Sequence, residues 1–194
     1  MGDISIVLII LTSYFIGSVP FSWILGKFFL KVDIKKVGSG NSGSTNVFRI
    51  NKKISILALL LDIAKSALVT LFLKVNGFTK EITYLIGFIS VFGHIFPVWF
   101  RFKGGKGIAS TIGVIMVLNT EMFYLFIATW VVFFVIYRYS SLSSILAILI
   151  SCSHCLIIED IIPSIVYLIT SIVIIWKHKE NIIRIKNGVE SKLF

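Results

Sequence analysis

Seven runs of apolar residues, separated by short polar connections, limit this chain to a membrane protein. Apolar residues make up 57% of its 194 residues and charged residues only 14%, which is unusual for a soluble globular domain. A transmembrane helix needs about 20 mostly apolar residues. The first run starts behind Asp3 without the basic segment or cleavage site of a signal peptide, so we predict a retained span. The predicted spans are residues 4–26, 54–73, 82–100, 107–118, 122–137, 142–158 and 161–176.

The fourth run is short for a crossing, so the alternative is six spans, with 107–118 and 122–137 joined in one helix. The charges favour seven. With seven spans the basic connections and the basic tail lie on one side, whereas acidic residues such as Glu121 and Glu159 lie on the other, as the positive-inside rule requires. With six spans the basic tail would lie outside. The sequence predicts an all-α integral membrane protein, one domain over residues 1–194 with seven transmembrane helices, N-terminus outside and C-terminus cytoplasmic.

The net charge of +10 comes from basic residues scattered through the connections between the runs. Membrane orientation and anionic lipid head groups explain such residues better than nucleic acid does. We therefore predict contact with membrane lipid and no nucleic-acid partner.

A glycine-rich polar loop ending in arginine, GSGNSGSTNVFR at residues 38–49, lies between the first two runs. Small residues let backbone N–H groups approach a phosphate, and arginine adds a two-pronged cation. The loop matches GxGxxG, but no βαβ unit surrounds it, so a dinucleotide site is not predicted. We favour a phosphate-binding loop over a flexible connection. Its candidate ligands are Ser39, Gly40, Asn41, Asn46 and Arg49.

A second basic loop, RFKGGKG at residues 101–107, follows the third run. It lacks the GxxxxGK[ST] frame of a P-loop, so nucleotide hydrolysis is not predicted. Its lysines could be ordinary cytoplasmic charges, but the paired glycines between them favour close approach to an anion. The candidates are Lys103, Gly104, Gly105 and, ahead of these, Lys106.

Polar residues inside or just beyond the runs are further candidates. His178 and Asn181 are one helical turn apart beyond the last run, and so would face the same side. Asp62 and Lys65 have the same spacing within the second run, where an isolated charge is costly, so we predict mutual neutralisation, with substrate contact as the alternative. For His94, spacing does not decide between a core residue and a site residue.

The two cysteines, Cys152 and Cys155, lie three residues apart in an apolar run and hence on one helical face. Buried thiols are the usual state of such cysteines. A redox or metal site with His154 is the alternative. We predict neither a metal nor a cofactor.

Three ordered signatures resemble the bacterial acyl-phosphate:glycerol-3-phosphate acyltransferase family of the PlsY type. SGSGNSGSTNVFR resembles the first, GHIFPVWFRFKGGKGIAST the second and HKENIIR the third, while YFIGSVPF, LDIAKS and RYSSLSS fit in order and spacing. The resemblance covers the full length. Ser44, Ser66 and Ser143 depart from the common pattern, and none of these departures removes a charged group.

This resemblance implies seven membrane helices in the bacterial cytoplasmic (inner) membrane and a role in phospholipid biosynthesis. The implied reaction moves a fatty acyl group from acyl phosphate to the 1-hydroxyl of sn-glycerol 3-phosphate, giving lysophosphatidate and inorganic phosphate without coenzyme A. A soluble phosphate acyltransferase is a possible docking partner. By motif position the phosphate-handling and catalytic residues are Ser39, Arg49, Lys106, His178 and Asn181, with Ser141 a weaker candidate for substrate binding. For His178 we place phosphate binding first and base catalysis second.

Two other classes of function share these features. An anion channel or transporter would have a similar basic, glycine-rich vestibule, and a scaffold protein would show neither turnover nor uptake. The predicted topology places all the basic segments on one cytoplasmic side, where they can converge into one site. Phosphate release in detergent, dependent on glycerol 3-phosphate, would distinguish the enzyme from both alternatives.

Overall fold

The computed structural model describes residues 3–193, and throughout that range the ordered elements are helices. Met1, Gly2 and Phe194, which the domain prediction 1–194 includes, lie outside the described residues. The helices are α1 (Asp3–Ser18), α2 (Phe21–Phe29), α3 (Ser44–Phe48), α4 (Lys52–Val75), α5 (Lys80–Ile95), α6 (Ile108–Leu118), α7 (Thr120–Tyr137), α8 (Ser140–Ile158), α9 (Ile161–Lys177) and α10 (Lys179–Lys186), with a 3₁₀ turn at Val98–Phe100.

The chain divides into two compact units, Met1–Leu118 and Asn119–Phe194. In the first, α4 packs against α2, α3, α5 and α6, and α5 packs against α1. In the second, α8 packs against α7 and α9, and α10 contacts α8 and α9. The single domain predicted over the whole chain stays a prediction.

Five helical segments of the described chain are long and apolar enough to cross a membrane. A sixth results if α9 and α10, bent by 50° where they join, count as one span. The helix α6 has 11 residues, which is shorter than a crossing. The all-α class is therefore confirmed, whereas seven crossings and their sidedness stay predictions. The five segments are Ser5–Phe29, Lys52–Val75, Lys80–Phe100, Thr120–Tyr137 and Ser140–Ile158.

The first predicted span is broken instead of continuous. The break between α1 and α2 falls at Val19 and Pro20, because proline lacks an N–H and disfavours helical backbone at the residue before it. The third predicted span is interrupted in the same way, since α5 ends at Ile95, two residues before Pro97. Each break leaves backbone carbonyl groups without a partner in their own helix.

Another break separates residues 107–118 from 122–137. Asn119 is extended, with φ −148° and ψ 105°, and its Oδ1 accepts a hydrogen bond from the N–H of Met122 at 3.0 Å. Such a cap begins a new helix. The alternative of one fused helix is therefore excluded.

Glycines set the helix spacing in the first unit. A Cβ at Gly17 of α1 would overlap the carbonyl oxygen of Ser90 in α5, and one at Gly93 of α5 would overlap that of Tyr14 in α1. Gly113 of α6 lies equally close to the backbone of α4. Small residues let helix backbones approach closely within a bilayer, where packing drives association.

The outer faces of several helices are apolar. On α7, Val131, Val132, Val135 and Ile136 are between 47% and 70% exposed. A continuous apolar row of this kind is unfavourable in water and suits contact with lipid.

Candidate active site

Asn46 holds the first glycine-rich loop together. Its side chain is buried and donates from Nδ2 to the carbonyl oxygens of Ile34 at 2.7 Å and Val37 at 3.0 Å. Its Oδ1 accepts from the backbone N–H of Ser39 at 3.0 Å. A Cβ at Gly38, where φ is 58°, would overlap that same oxygen, so glycine is required there. Asn46 is engaged inside the loop, and its contact with substrate stays a prediction.

The surface of this loop carries the other candidates. Ser39, Gly40 and Arg49 are exposed. Asn41 is half-buried, and its Oδ1 accepts from the N–H of Gly43 at 3.0 Å, which forms a turn just before α3. Arg49 follows α3 directly as its C-terminal cap. Asn46 thus holds the loop from within, and exposed residues that include Arg49 form its outer surface.

The second loop lies directly on the end of α5. The N–H groups of Gly104 and Gly105 donate to the carbonyl oxygens of Ile95 and His94, each at 3.1 Å. A Cβ at Gly104 would overlap the backbone of His94, and a Cβ at Gly105 would overlap its imidazole ring. Both glycines are therefore required by close approach. They fix the backbone immediately before Lys106, which is half-buried.

Lys35 connects the two loops of the first unit. Its Nζ donates to the carbonyl oxygen of Lys103 at 3.5 Å and lies 4.1 Å from the centroid of the Phe100 ring. A cavity of about 10 Å³, enough for one water molecule, is lined by Ser42 of the first loop and Gly105 of the second. The structure thus brings the two predicted anion-binding loops together. Sequence reasoning missed Lys35, which stands among other basic residues of its connection.

A buried ionic cluster borders the same cavity, through Asp62 and His94. The Nζ of Lys65 lies 2.8 Å from Asp62 Oδ1 and 2.9 Å from His94 Nδ1. Asp62 is 1% and Lys65 4% exposed, and Ser22 Oγ donates to Asp62 Oδ2 at 3.1 Å. The predicted neutralisation of Asp62 and Lys65 is confirmed. The role of His94, which the sequence left open, is that of a third member of this cluster beneath the second loop.

In the second unit, His178 lies at the bend between α9 and α10 and is buried. Its Nδ1 is 2.8 Å from the carbonyl oxygen of Ile174. Because a carbonyl oxygen only accepts, Nδ1 must carry the hydrogen. The neutral ring therefore has its lone pair on Nε2. The helical turn predicted between His178 and Asn181 is confirmed, since the N–H of Ile182 donates to the carbonyl oxygen of His178, whereas a common cavity for the two side chains stays a prediction.

Asn181 and Ser141, both buried, share one carboxylate. Asn181 Nδ2 donates to Glu190 Oε1 at 2.6 Å and Ser141 Oγ donates to the same oxygen at 2.8 Å, while Arg184 Nε donates to Oε2 at 2.6 Å. Burial raises the pKa of the Glu190 carboxyl, but the hydrogen bonds from Arg184, Asn181 and Ser141 outweigh burial, so this pKa lies below its usual value. Sequence reasoning missed Glu190, which carries no local signal of a buried role.

The cysteines lie in α8 as buried free thiols, as predicted. His154, the third member of the alternative redox or metal site, lies beside Glu121, with Nε2 3.7 Å from Oε2. Among the residues that the structure describes, no three His, Cys, Asp or Glu side chains are grouped to hold a metal ion.

Known proteins are similar to this chain over nearly its whole length. A family model described as glycerol-3-phosphate acyltransferase matches residues 7–188. The glycerol-3-phosphate acyltransferase of Anaplasma marginale (strain Florida) is 56% identical over 194 residues, with 100% of this chain and 98% of that protein covered. The one of Pelagibacter ubique (strain HTCC1062) is 40% identical over 186 residues, with 95% and 96% covered.

Two crystal structures of PlsY (YgiH), an integral membrane glycerol 3-phosphate acyltransferase, share the fold. The glycerol 3-phosphate form has a TM-score of 0.91 at 32% identity, with 97% of this chain and 95% of that chain covered. The lysophosphatidic acid form has a TM-score of 0.88 at the same identity and coverage. With its several apolar helices, the chain is a multi-pass integral membrane protein. Its three signatures are those of an acyltransferase of phospholipid biosynthesis. The chain belongs to the glycerol-3-phosphate acyltransferase family.

Proposed function

We propose that the protein transfers a fatty acyl group from acyl phosphate to the 1-hydroxyl of sn-glycerol 3-phosphate, giving lysophosphatidate and inorganic phosphate. The observation that carries the proposal is the pair of adjoining glycine-rich loops in the first unit, each with its own cation. Arg49 ends the first loop and Lys106 lies within the second. A reaction between an acyl phosphate and glycerol 3-phosphate needs two phosphate contacts of this kind. The related crystal structures in glycerol 3-phosphate and lysophosphatidic acid forms support the acceptor and the product.

The chemistry of an acyl phosphate supports its choice as the donor. An acyl phosphate is a mixed anhydride with a good leaving group, so positioning and stabilisation of anionic oxygens supply most of the catalysis. The acceptor hydroxyl oxygen attacks the acyl carbonyl carbon, the bond from that carbon to the phosphate oxygen breaks, and phosphate leaves with the electron pair. Neither a covalent enzyme intermediate nor a cofactor takes part in this scheme.

The proton of the acceptor hydroxyl is assigned to His178. Its Nδ1 hydrogen is committed to Ile174, so a neutral ring offers Nε2 as a proton acceptor, whereas only the charged ring can donate from Nε2 to phosphate. This hydrogen bond is a reason to place the base role before the binding role, which reverses the order expected from the sequence. Asn181 and Ser141 are proposed to contact substrate from the same unit, with Ser39, Gly40, Asn41, Lys103, Gly104 and Gly105 acting in the first.

Purified protein in detergent tests the proposal. Acyl phosphate should release inorganic phosphate and form lysophosphatidate only when glycerol 3-phosphate is supplied, without a gradient or second compartment. An equal rate with an acyl-coenzyme A donor would refute the choice of donor and leave the acyltransferase intact. Absence of product with either donor would refute the function. Location in the bacterial inner membrane, and docking of a soluble phosphate acyltransferase on the basic connections, stay predictions.

A further inference from the structure

Lys65 has no hydrogen-bonding capacity left over. Its ammonium group carries three hydrogens and donates to the carbonyl oxygen of Val19 at 2.8 Å, to Asp62 Oδ1 at 2.8 Å and to His94 Nδ1 at 2.9 Å. The first of these acceptors belongs to the break before Pro20, and the third belongs to the last turn of α5. Lys65 therefore joins three separate parts of the first unit at one atom.

This contact fixes the state of the His94 ring. An ammonium group has no lone pair, so His94 Nδ1 must accept and the hydrogen of the neutral ring must lie on Nε2. Asp62 holds Lys65 in place and is itself held by the hydroxyl of Ser22 at 3.1 Å. Both the tautomer and the orientation of the ring are thus set from the side of α4.

The opposite edge of the ring supports the second loop. A Cβ at Gly105 would overlap His94 Nε2, and the carbonyl oxygen of His94 accepts from the Gly105 N–H. A shift of the ring toward the loop must therefore move the backbone of Gly105. Lys106 is the next residue, so its position depends on the same contact.

We propose that Asp62, Lys65 and His94 are positioning residues. Together they hold the loop that carries Lys106 in the position required for phosphate binding. This inference rests on the proposed function for its kinetic consequence, but not for its structural one. A buried ion pair is by itself weak evidence for stability, since apolar replacements of similar size are often tolerated. The cluster also contacts the second loop through His94, and this contact gives it a role that an apolar replacement cannot supply.

The test uses a charge-neutral double variant, Asp62→Leu/Lys65→Met. A single substitution would leave one buried charge without its partner, and this could unfold the protein for an unrelated reason. Removing both charges together avoids that effect. The matched control is Lys74→Met on the same helix. Lys74 also donates to a backbone carbonyl of α6, that of Val117 at 2.8 Å, but it is exposed and more than two turns away from the cluster.

Two measurements are made on each folded variant. Hydrogen exchange of the peptide containing Gly104 and Gly105 reports whether their amides stay bonded to α5. In the double variant these amides should exchange at least about tenfold faster, while the amides of α4 and α5 keep their protection. In the kinetic assay, the KM for one phosphate substrate should rise at least about tenfold with the KM for the other nearly unchanged, because one loop holds one phosphate.

Unchanged loop exchange and unchanged KM values in the folded double variant would overturn the proposal. If that variant does not fold, His94→Leu tests the same point, because it removes the ring and leaves the ion pair in place. Loss of folded protein in both variants would assign the cluster to folding alone and also overturn the proposal. If the wild-type protein shows no acyl transfer, the proposed function fails, but the exchange result still decides the positioning role.

Discussion

Replacing Glu190 by glutamine should destabilise the second unit while changing one atom. The amide keeps an acceptor oxygen for Asn181 and Ser141 but turns an NH₂ group toward Arg184 Nε, where the structure has a 2.6 Å hydrogen bond. A hydrogen bond to a charged group contributes about 1.5–3 kcal/mol. The free energy lost with this hydrogen bond is set lower, at about 1 kcal/mol, because the Arg184 side chain is 32% exposed and water can replace part of the interaction.

The hydrogen bonds from Asn181 and Ser141 remain but lose the charge of their acceptor, which weakens each by about 0.5 kcal/mol. The total loss of folding free energy is therefore about 2 kcal/mol. A loss of 1 kcal/mol lowers Tm by about 4–8 °C for 60–100 residues and about 2–4 °C for 150–250 residues. The expected fall is therefore roughly 8–16 °C if the second unit unfolds alone, and roughly 4–8 °C if the whole chain unfolds together.

The chain contains its own reporter for this measurement. Cys152 and Cys155 are buried free thiols of the second unit, and a thiol-reactive fluorescent dye labels them only as they become exposed on heating. The control is Glu180→Gln. Glu180 also faces Arg184, at 4.0 Å, but its side chain is 72% exposed, so Tm should stay within about 2 °C. Equal melting of Glu190→Gln and wild type would refute the reasoning.

The same carboxylate predicts a pH dependence with a definite sign. Its pKa is lower in the folded protein than the usual value near 4.5, so its stabilising effect is fully present above that value and is lost as pH falls through the folded pKa. The difference in Tm between wild type and Glu190→Gln should be constant from pH 8 to about pH 5 and shrink below about pH 4.5. A difference that grows on acidification would contradict the assigned hydrogen bonds.

Four further substitutions test the proposed reaction. Arg49→Lys should lower kcat/KM by about tenfold or more although charge is kept, because lysine lacks the planar two-pronged contact; near-normal kinetics would remove that contact from the mechanism. Gly105→Ala should lower kcat/KM by a similar factor and should also lower Tm, since the added Cβ overlaps the buried His94 ring and overpacking of this kind costs about 1–3 kcal/mol. Lys106→Ala should reduce turnover without reducing folded protein, whereas a loss of expression alone would favour a purely topological role. His178→Gln should lower the maximal rate by roughly 10²–10⁴ fold and abolish the acidic limb of the pH profile, while a raised KM with a preserved rate would restore phosphate binding as its main role.

The sequence predicts the helices well because apolar runs and their interruptions are local properties. It predicts the break at Pro20 less well, since hydropathy averages over the proline and the run looks continuous. The register of His178 and Asn181 is likewise local, and one helical turn between them is confirmed. These are the features in which residues near in sequence decide the structure.

The contacts that decide the site are of another kind. The residue type of Asn46 indicated a ligand, but its amide is engaged by backbone groups whose position depends on the folded loop. Glu190 meets Ser141 across 49 positions of the chain, a distance at which no spacing rule applies. His94 could not be assigned for the same reason, because its neighbour Lys65 lies on another helix.

The three acceptors of Lys65 also bear on how the first unit enters the membrane. A charge at the centre of a transmembrane helix costs about 2.5–3.5 kcal/mol on insertion scales, and α4 carries Asp62 and Lys65 near its middle. One partner, Val19, precedes α4 in synthesis, but His94 is made only later. We therefore expect α4 to integrate stably only when α5 has followed it into the bilayer. A chain ending at residue 79 should integrate α4 less efficiently than one ending at residue 105, and Asp62→Leu/Lys65→Met should abolish that difference.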